Sequence, residues 1–233
     1  MNYKFDWKLV LSGEYGEWII HGLITTLKIS AVSILLALLL GTIIAVFRMT
    51  KVRPLVWFSA GFTEFFRNTP LLVQIFFWYF GSDAVLPDAV NKWLYQQDFE
   101  FAAGVIALTV YTSAFIAEEI RAGIFSIPKT QLEASRAAGL SFIQAYGYVI
   151  LPQAFRIIIP PLISQFLNLI KNSSLVMTIG VMELTYMARQ IESYTFHGFE
   201  AFTVATLIYL SISLIVSFAI TQYNKYFLRQ IVY

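Results

Sequence analysis

The polar residues that could do chemistry lie inside apolar segments. Three amides recur at i, i+3 and i+7 in one of these segments: Gln165, Asn168 and Asn172. At this spacing they share one face of a helix, which should line either a cavity or a contact between helices. Lys171, Ser173 and Ser174 widen the polar band to nearly a full turn, more than a single interhelical hydrogen bond needs. We therefore predict that this band lines a path for a polar solute, with helix packing as the alternative.

A second polar group consists of Arg67, Asn68, Thr69 and Pro70. An ionisable side chain within a bilayer costs on the order of a few kcal/mol, so Arg67 needs a partner or a wet cavity. Glu64 precedes it by three residues and could form an ion pair on the same helical face. Pro70 should kink or break the helix and leave carbonyls near Arg67 and Asn68 without helical partners. Broken helices are common at transport sites, so we place these four residues in the same path, with a local ion pair as the alternative.

Motifs for catalysis are absent from the sequence. It contains no cysteine, and its two histidines, His21 and His197, are far apart. It has neither a Ser-His-Asp nor a metal-binding constellation, and no G-x-x-x-x-G-K-[ST] loop for ATP. We expect no catalytic residue, no metal site and no cofactor in this chain. Any ATP and Mg²⁺ must be used by a separate subunit.

The composition requires a membrane. Apolar residue types make up 58% of the chain and charged types 13%, about half the roughly 25% charged residues of soluble domains. Five apolar segments are long enough to cross a bilayer, and they cover residues 19–47, 55–80, 101–120, 157–187 and 199–222. Pro160, Pro161 and Gly180 interrupt the fourth of them. We predict an all-α integral membrane protein with about five transmembrane helices.

The basic residues indicate which side faces the cytoplasm. Lysine and arginine collect on the side that holds the loop after the first span, the segment after the third and the end of the chain. This bias predicts an external N-terminus and a cytoplasmic C-terminus. Residues 1–18 then form a short external segment, whose mixed charges do not resemble a cleavable signal. Residues 223–233 form a cytoplasmic tail.

The predicted cytoplasmic segment 126–152 contains two helix-start signals. Thr130 with Glu133 and Ser141 with Gln144 match the capping-box pattern. Gly139 falls where the first helix, 132–138, must stop in a left-handed turn. The turn presents Leu140 and Phe142 as an apolar tip on a loop that faces water, which suggests docking to another protein. An amphipathic loop lying on the membrane surface is the alternative.

This segment also resembles a known motif. Glu133, Ala134, Gly139 and the run Ile150-Leu151-Pro152 have the spacing of the EAA motif of ABC importer permeases, with Ser135 in place of the usual second alanine. In that family the segment fits a groove on the ATP-hydrolysing subunit. The resemblance implies a type-1 ABC importer permease fold and a coupling role for these residues, together with Leu140 and Phe142.

The stretches 67–74, 169–175 and 179–185 resemble the branch of this family that imports polar amino acids, and within it glutamate and aspartate permeases. The resemblance implies alternating access in the bacterial cytoplasmic (inner) membrane. It also implies a cytoplasmic ABC ATPase dimer that uses ATP and Mg²⁺, a second permease that is identical or paralogous, and an extracytoplasmic amino-acid-binding protein. Membrane lipid surrounds such a protein, and no nucleic acid is expected.

The charge of the polar band bears on the cargo. Relatives that carry basic amino acids tend to have acidic residues near the positions of Gln165 and Asn172, where this chain has amides. A neutral site beside Lys171 disfavours a cationic cargo, although Lys171 is shared across the family. The charge is compatible with an acidic or a neutral polar cargo, and the resemblance to glutamate and aspartate permeases implies import of glutamate or aspartate. The alternatives are another polar amino acid such as glutamine or histidine, an ATP-independent channel or secondary transporter, and a structural membrane protein.

Overall fold

The computed structural model describes residues 3–96 and 98–227, with side chains described as far as 222. These residues form helices joined by short turns. The helices are α1 (Trp7–Leu11), α2 (Gly13–Met49), α3 (Arg53–Asn68), α4 (Leu71–Val85), α5 (Asp88–Tyr95), α6 (Phe99–Phe125), α7 (Lys129–Ala137), α8 (Phe142–Ala145), α9 (Leu151–Asn172), α10 (Leu184–Thr195) and α11 (Gly198–Phe227). A π-helical turn, Tyr146–Ile150, joins α8 to α9, and a 3₁₀ segment, Ser173–Ile179, extends α9.

Within the described residues, four continuous helical stretches are long and apolar enough to cross a membrane: Gly13–Met49, Phe99–Phe125, Phe142–Ile179 and Gly198–Gln222. They contain four of the five predicted spans or most of each. The last predicted segment, 223–233, lies partly outside the described residues, because the backbone is described only to 227. The external or cytoplasmic placement of either end stays a prediction.

The remaining predicted span, 55–80, is divided between α3 and α4. Pro70 lies at the break, as the sequence predicts. Its backbone nitrogen carries no hydrogen, so it cannot donate the hydrogen bond that a helix interior requires. The two halves follow α6 from one end to the other. Phe62 of α3 packs against Ala117, and the ring centroid of Tyr79 on α4 lies 5.5 Å from that of Phe99. Together they therefore cover the height of α6 as one broken helix.

Helix α6 is the centre of the fold and approaches its neighbours closely. A Cβ atom added to Gly41 of α2 would lie 2.7 Å from Ile116 Cγ2, and one added to Gly123 would lie 2.2 Å from Ile158 Cγ1 of α9. Small residues at such contacts allow helices to pack tightly within a membrane. Helix α6 therefore holds α2 and α9 in fixed register on its two sides.

The fourth predicted span needs correction at both ends. The helix continues through Pro160 and Pro161, where an interruption was predicted, and its continuous stretch begins at Phe142. It ends at Ile179, not at residue 187, because Gly180 adopts the left-handed conformation with φ 95°. Met187 belongs to α10, a new helix whose first turn is capped by the Glu183 side chain. The left-handed Gly180 ends one helix and the Glu183 cap begins the next. The helix is therefore interrupted although the sequence remains mostly apolar through this stretch.

Candidate substrate path and coupling segment

A cavity of about 270 Å³ lies between α6 and α9. It is lined by Tyr111, Thr112, Phe115, Gln165, Asn168, Leu169 and Asn172. The three amides of the predicted polar face therefore open into one cavity. None of the seven lining side chains is charged, so the cavity offers hydrogen-bond donors and acceptors without a fixed charge of its own.

Two charged residues, Glu119 and Arg67, contact side chains that line this cavity. Gln165 Nε2 donates to Glu119 Oε1 over 3.4 Å, which ties one end of that amide to α6. The guanidinium carbon of Arg67 lies 5.3 Å from the centroid of the Phe115 ring. This contact places the break between α3 and α4 beside the polar face of α9. Of the predicted path residues 67–70, Arg67 thus contacts the cavity lining, at Phe115.

Arg67 does not pair with Glu64, the alternative considered from the sequence. In the part of the chain whose side chains are described, Glu118 forms an ion pair with Arg121, and the Nδ1 atom of His197 lies 3.0 Å from Glu200 Oε1. Glu64 instead accepts a hydrogen bond of 3.1 Å from Asn68 Nδ2. Asn68 is thereby held on α3, away from the cavity lining.

The rest of the predicted polar band lies outside this cavity. Lys171 is exposed, and Ser173 is fully buried. The hydroxyls of Ser173 and Ser174 donate to carbonyls of their own helix, those of Ile170 and Lys171, at 2.7 and 2.8 Å. These serines therefore satisfy their own hydrogen bonds locally, and the cavity takes only the amide face of the band.

The break at Pro70 is closed by a residue to which the sequence argument assigned no role. Gln74 is 5% exposed, and its Nε2 donates to Phe66 O at 3.0 Å, to Thr69 O at 3.2 Å and to Thr69 Oγ1 at 2.8 Å. The carbonyls that Pro70 leaves without helical partners are thus bound by this amide, and Thr69 is engaged by it. The signal available in the sequence was a glutamine four residues after a proline in an apolar helix.

The segment after α6 has the predicted helix, turn and helix. Gly139 has φ 88°, Gly139 N donates to Arg136 O, and Leu140 N donates to Ser135 O. This is the Schellman pattern that ends a helix at a left-handed glycine. Gly139 therefore sets the angle between α7 and α8, and its predicted conformation is confirmed.

One of the two predicted helix starts is wrong. Helix α7 begins at Lys129 after Pro128 and has no side-chain cap, so Thr130 lies inside its first turn. Proline before a helix presets the backbone and makes the threonine cap unnecessary. The second start is confirmed, because Ser141 and Gln144 form both hydrogen bonds of a capping box.

The apolar tip of this segment is broader than predicted. Phe142 is 58% exposed and its neighbour Ile143 82% exposed, while Leu140 is half-buried. Glu133 and Ala134 lie exposed on α7. Ile143 is a second large apolar residue directly after Phe142, and the sequence argument passed over it. The tip therefore offers two large apolar side chains to a partner.

The base of the segment is anchored in the membrane helices. Ile127, Ile150, Ala154 and Ile158 form a buried cluster against which Ile124 of α6 packs. Within the EAA-like run, Leu151 is half-buried and Pro152 exposed. Because the helix from Phe142 to Ile179 is continuous, the tip and the amide cavity lie on one rod. A displacement at the tip can therefore reach the cavity without passing through a loop.

A second polar cluster, absent from the sequence argument, joins α2, α10 and α11. Glu183 is fully buried and accepts hydrogen bonds from Tyr186 N at 2.8 Å and from Tyr209 Oη at 2.7 Å. Thr26 Oγ1 accepts from Leu184 N at 3.1 Å. The Glu183 carboxylate thus caps α10 and also fixes it to α11.

Known proteins resemble this chain over nearly its whole length. Residues 37–227 match the family described as binding-protein-dependent transport system inner membrane component. The chain is 42% identical over 204 residues to the probable glutamine ABC transporter permease protein GlnM of Bacillus subtilis (strain 168), covering 88% of this chain and 90% of that protein. It is 33% identical over 236 residues to the glutamate/aspartate import permease protein GltJ of Escherichia coli (strain K12), covering 97% and 96%.

Solved structures resemble it as well. The crystal structure of an amino acid ABC transporter with histidines matches with a TM-score of 0.83 and 33% identity, covering 96% of this chain and 99% of that one.

Proposed function

The chain belongs to the family of inner membrane components of binding-protein-dependent transport systems, and we propose that it imports acidic amino acids, glutamate or aspartate. Its relatives are permease subunits of amino acid ABC transporters, which are transport proteins and not enzymes. In this role the chain forms part of a multi-pass permease in the bacterial inner membrane. Hydrolysis of ATP falls to a separate subunit.

The observation that carries the choice of cargo is the amide cavity with Arg67 beside it. Its lining residues carry no charge. On the α3 side, the Arg67 guanidinium lies over the ring of Phe115, one of these lining residues. A guanidinium favours a carboxylate and opposes a cation. Glu119 accepts a hydrogen bond from Gln165, which partly compensates its negative charge. Such a cavity suits a polar amino acid without a positive side chain.

The partners follow from the coupling segment and from the family. The exposed tip at Phe142 and Ile143 fits a groove on the cytoplasmic ATPase dimer, which binds ATP and Mg²⁺. Closure of that dimer pushes the tip, and the continuous helix Phe142–Ile179 transmits the push to the amide cavity, so that access alternates between the two sides. A second permease, identical or paralogous, completes the path, and an extracytoplasmic amino-acid-binding protein delivers the cargo. Exposed apolar side chains such as Leu35 and Leu39 face lipid.

Reconstitution of the complete transporter into vesicles tests this proposal. Uptake of labelled L-glutamate should require ATP, and unlabelled L-aspartate should compete while L-arginine does not. Competition by L-glutamine at equal or lower concentrations would move the cargo to glutamine, in agreement with the relative GlnM. Uptake without ATP would instead support a channel or secondary transporter.

A further inference from the structure

Helix α10 has one buried face and one polar face. Its buried residues are Leu184, Met187, Ala188 and Ile191, which belong to or adjoin the core of that end of the molecule. The opposite face carries polar residues at i, i+3, i+4 and i+7, namely Tyr186, Arg189, Gln190 and Ser193. These four side chains are exposed or half-buried, so the helix is held firmly on one side and presents hydrogen-bonding groups on the other.

The polar face of α10 and Met177 line a second cavity, of about 290 Å³. This volume is close to that of the amide cavity, about 270 Å³, and is large enough for a free amino acid. Among the side chains that the structure describes, Arg189 is in no ion pair. Its planar guanidinium presents five N–H donors in a fork that matches a carboxylate. The Ser193 hydroxyl donates to Arg189 O at 3.0 Å, which leaves its oxygen free to accept.

The position of Arg189 needs a reason. In the predicted orientation α10 lies on the external side, where arginine is disfavoured because basic residues concentrate in cytoplasmic loops. A neutral residue would complete the polar face equally well if that face only met solvent. An arginine that opposes this bias and faces a cavity is therefore best explained by an anionic ligand.

The continuous helix Phe142–Ile179 contributes residues to both cavities, the amides to the first and Met177 to the second. Met177 follows Asn172 by five residues of the 3₁₀ segment, which places the second cavity about 10 Å further along at roughly 2 Å per residue. Ser173, Val176 and Ile179 are buried at intervals of three, the repeat of a 3₁₀ helix. Val176 and Ile179 of this row belong to a buried cluster with residues of α2, α4 and α6, whereas Met177 lines the second cavity. The 3₁₀ segment therefore stands between the two cavities.

We propose that Arg189, with Gln190 and Ser193, forms an outer site that binds a carboxylate of the amino-acid cargo before it passes the 3₁₀ segment to the amide cavity. This inference rests on the proposed function, since it takes its ligand from the cargo. It adds a second binding step, in which a guanidinium recruits the cargo on the external side and the Arg67 end of the path receives it. Acidic and neutral amino acids both have a carboxylate for this site. A cargo with a cationic side chain would be repelled by the guanidinium of Arg189.

A single introduced cysteine can test this site, because the chain has none of its own. In the complete transporter, Ser193→Cys is labelled with a methanethiosulfonate reagent in the presence and absence of L-glutamate. We expect L-glutamate to slow labelling at least threefold, and glutamate dimethyl ester, which lacks both carboxylates, to give no protection. Tyr194→Cys is the matched control, since Tyr194 is 65% exposed beside the site but does not line the cavity.

Arginine variants decide the cause of the protection. With Arg189→Gln the protection of Ser193→Cys should require about tenfold or more L-glutamate, as expected for loss of a charge-assisted hydrogen bond. Arg189→Lys should retain part of the protection by L-glutamate. Arg53→Gln, at an exposed arginine far from the site, should retain all of the protection. Protection that is absent, or that is unchanged by Arg189→Gln, would overturn the inference. ATP-dependent glutamate uptake without such protection leaves the proposed function intact, whereas protection without uptake removes the function and keeps a carboxylate site.

Discussion

The guanidinium of Arg67 lies over the Phe115 ring, with 5.3 Å between the guanidinium carbon and the ring centroid. Phe115 also lines the cavity that holds Gln165, Asn168 and Asn172. A cation over an aromatic face is stabilised by about 0.5 to 2 kcal/mol, the larger value when water is excluded. The contact therefore gives Arg67 a partner without neutralising it, and it leaves a positive charge next to a neutral cavity.

The first prediction concerns the clamp across the Pro70 break. Gln74→Ala removes the donor to Phe66 O and Thr69 O and leaves these partly buried carbonyls without that partner, at a cost of about 1 to 3 kcal/mol. We expect a lower melting temperature of the purified transporter and slower uptake. Gln96→Ala, at an exposed glutamine, is the control and should change neither. A Gln74→Ala protein as stable as this control would show that water or lipid headgroups satisfy the break.

A second prediction tests the buried cluster at Glu183. Glu183→Ala deletes both the cap of α10 and the acceptor for Tyr209, so we expect a loss of about 2 kcal/mol or more in stability. Tyr209→Phe removes one of the same hydrogen bonds. The double variant should therefore lose less than the sum of the two single losses, by about 0.5 kcal/mol or more. Strict additivity in thermal unfolding would mean that the 2.7 Å hydrogen bond contributes nothing.

The sequence predicts some features well because they depend on local chemistry. Gly139 needs a left-handed turn, Ser141 and Gln144 cap a helix reciprocally, and Pro70 breaks one. The amide face of α9 follows from helical periodicity alone. In each case the residues within about four positions determine the outcome, so no knowledge of the tertiary fold is required.

Other features depend on contacts that the sequence does not display. The partner of Arg67 is Phe115, on a different helix, whereas the sequence offered only Glu64. The end of the fourth span was placed too late because the apolar pattern continues past Gly180 while the helix does not. Glu183 was overlooked because the groups that donate to its carboxylate, Tyr209 Oη at 2.7 Å and Thr26 Oγ1 at 3.4 Å, lie in distant helices. Tertiary packing selects among local alternatives that the sequence leaves open.

A third prediction concerns the sidedness of the membrane. Cysteines placed at Asp88 and Gln131, both exposed, should react with a membrane-impermeant reagent from opposite sides, Asp88→Cys from outside. The reason is the excess of basic residues near the second position and the broken crossing formed by α3 and α4. Labelling of both cysteines in intact cells would contradict five crossings with an external N-terminus.

A fourth prediction addresses coupling. Gly139 has φ 88°, and no described atom lies within 4 Å of an added Cβ, so a substitution meets backbone strain and no clash with these atoms. Gly139→Val should cost about 1 to 2 kcal/mol locally and tilt the Phe142 tip, so that ATP is hydrolysed with little uptake. Gly139→Asn should be milder because asparagine tolerates this conformation. Gly61→Ala, equally open but helical, should leave the ratio of uptake to hydrolysis unchanged, and full coupling in Gly139→Val would remove the coupling assignment.

The last prediction tests whether Asn172 faces the cargo. Asn172→Asp adds a negative charge to a cavity whose lining is neutral. At about 6 Å and an effective dielectric constant near 20, two unit charges interact by roughly 3 kcal/mol, which changes an affinity by about a hundredfold. Uptake of glutamate or aspartate should therefore fall sharply, and that of a neutral amino acid much less.

Asn172→Gln separates charge from shape, since it keeps an amide and adds one methylene. The new carboxylate could instead pair with Lys171, but that side chain is exposed and outside the cavity lining, and the double change Asn172→Asp with Lys171→Gln removes this possibility. We expect the double variant to be at least as defective for acidic cargo as Asn172→Asp alone. Normal glutamate uptake by both variants would place Asn172 away from the cargo, because a negative charge within reach of a carboxylate cannot be neutral in its effect.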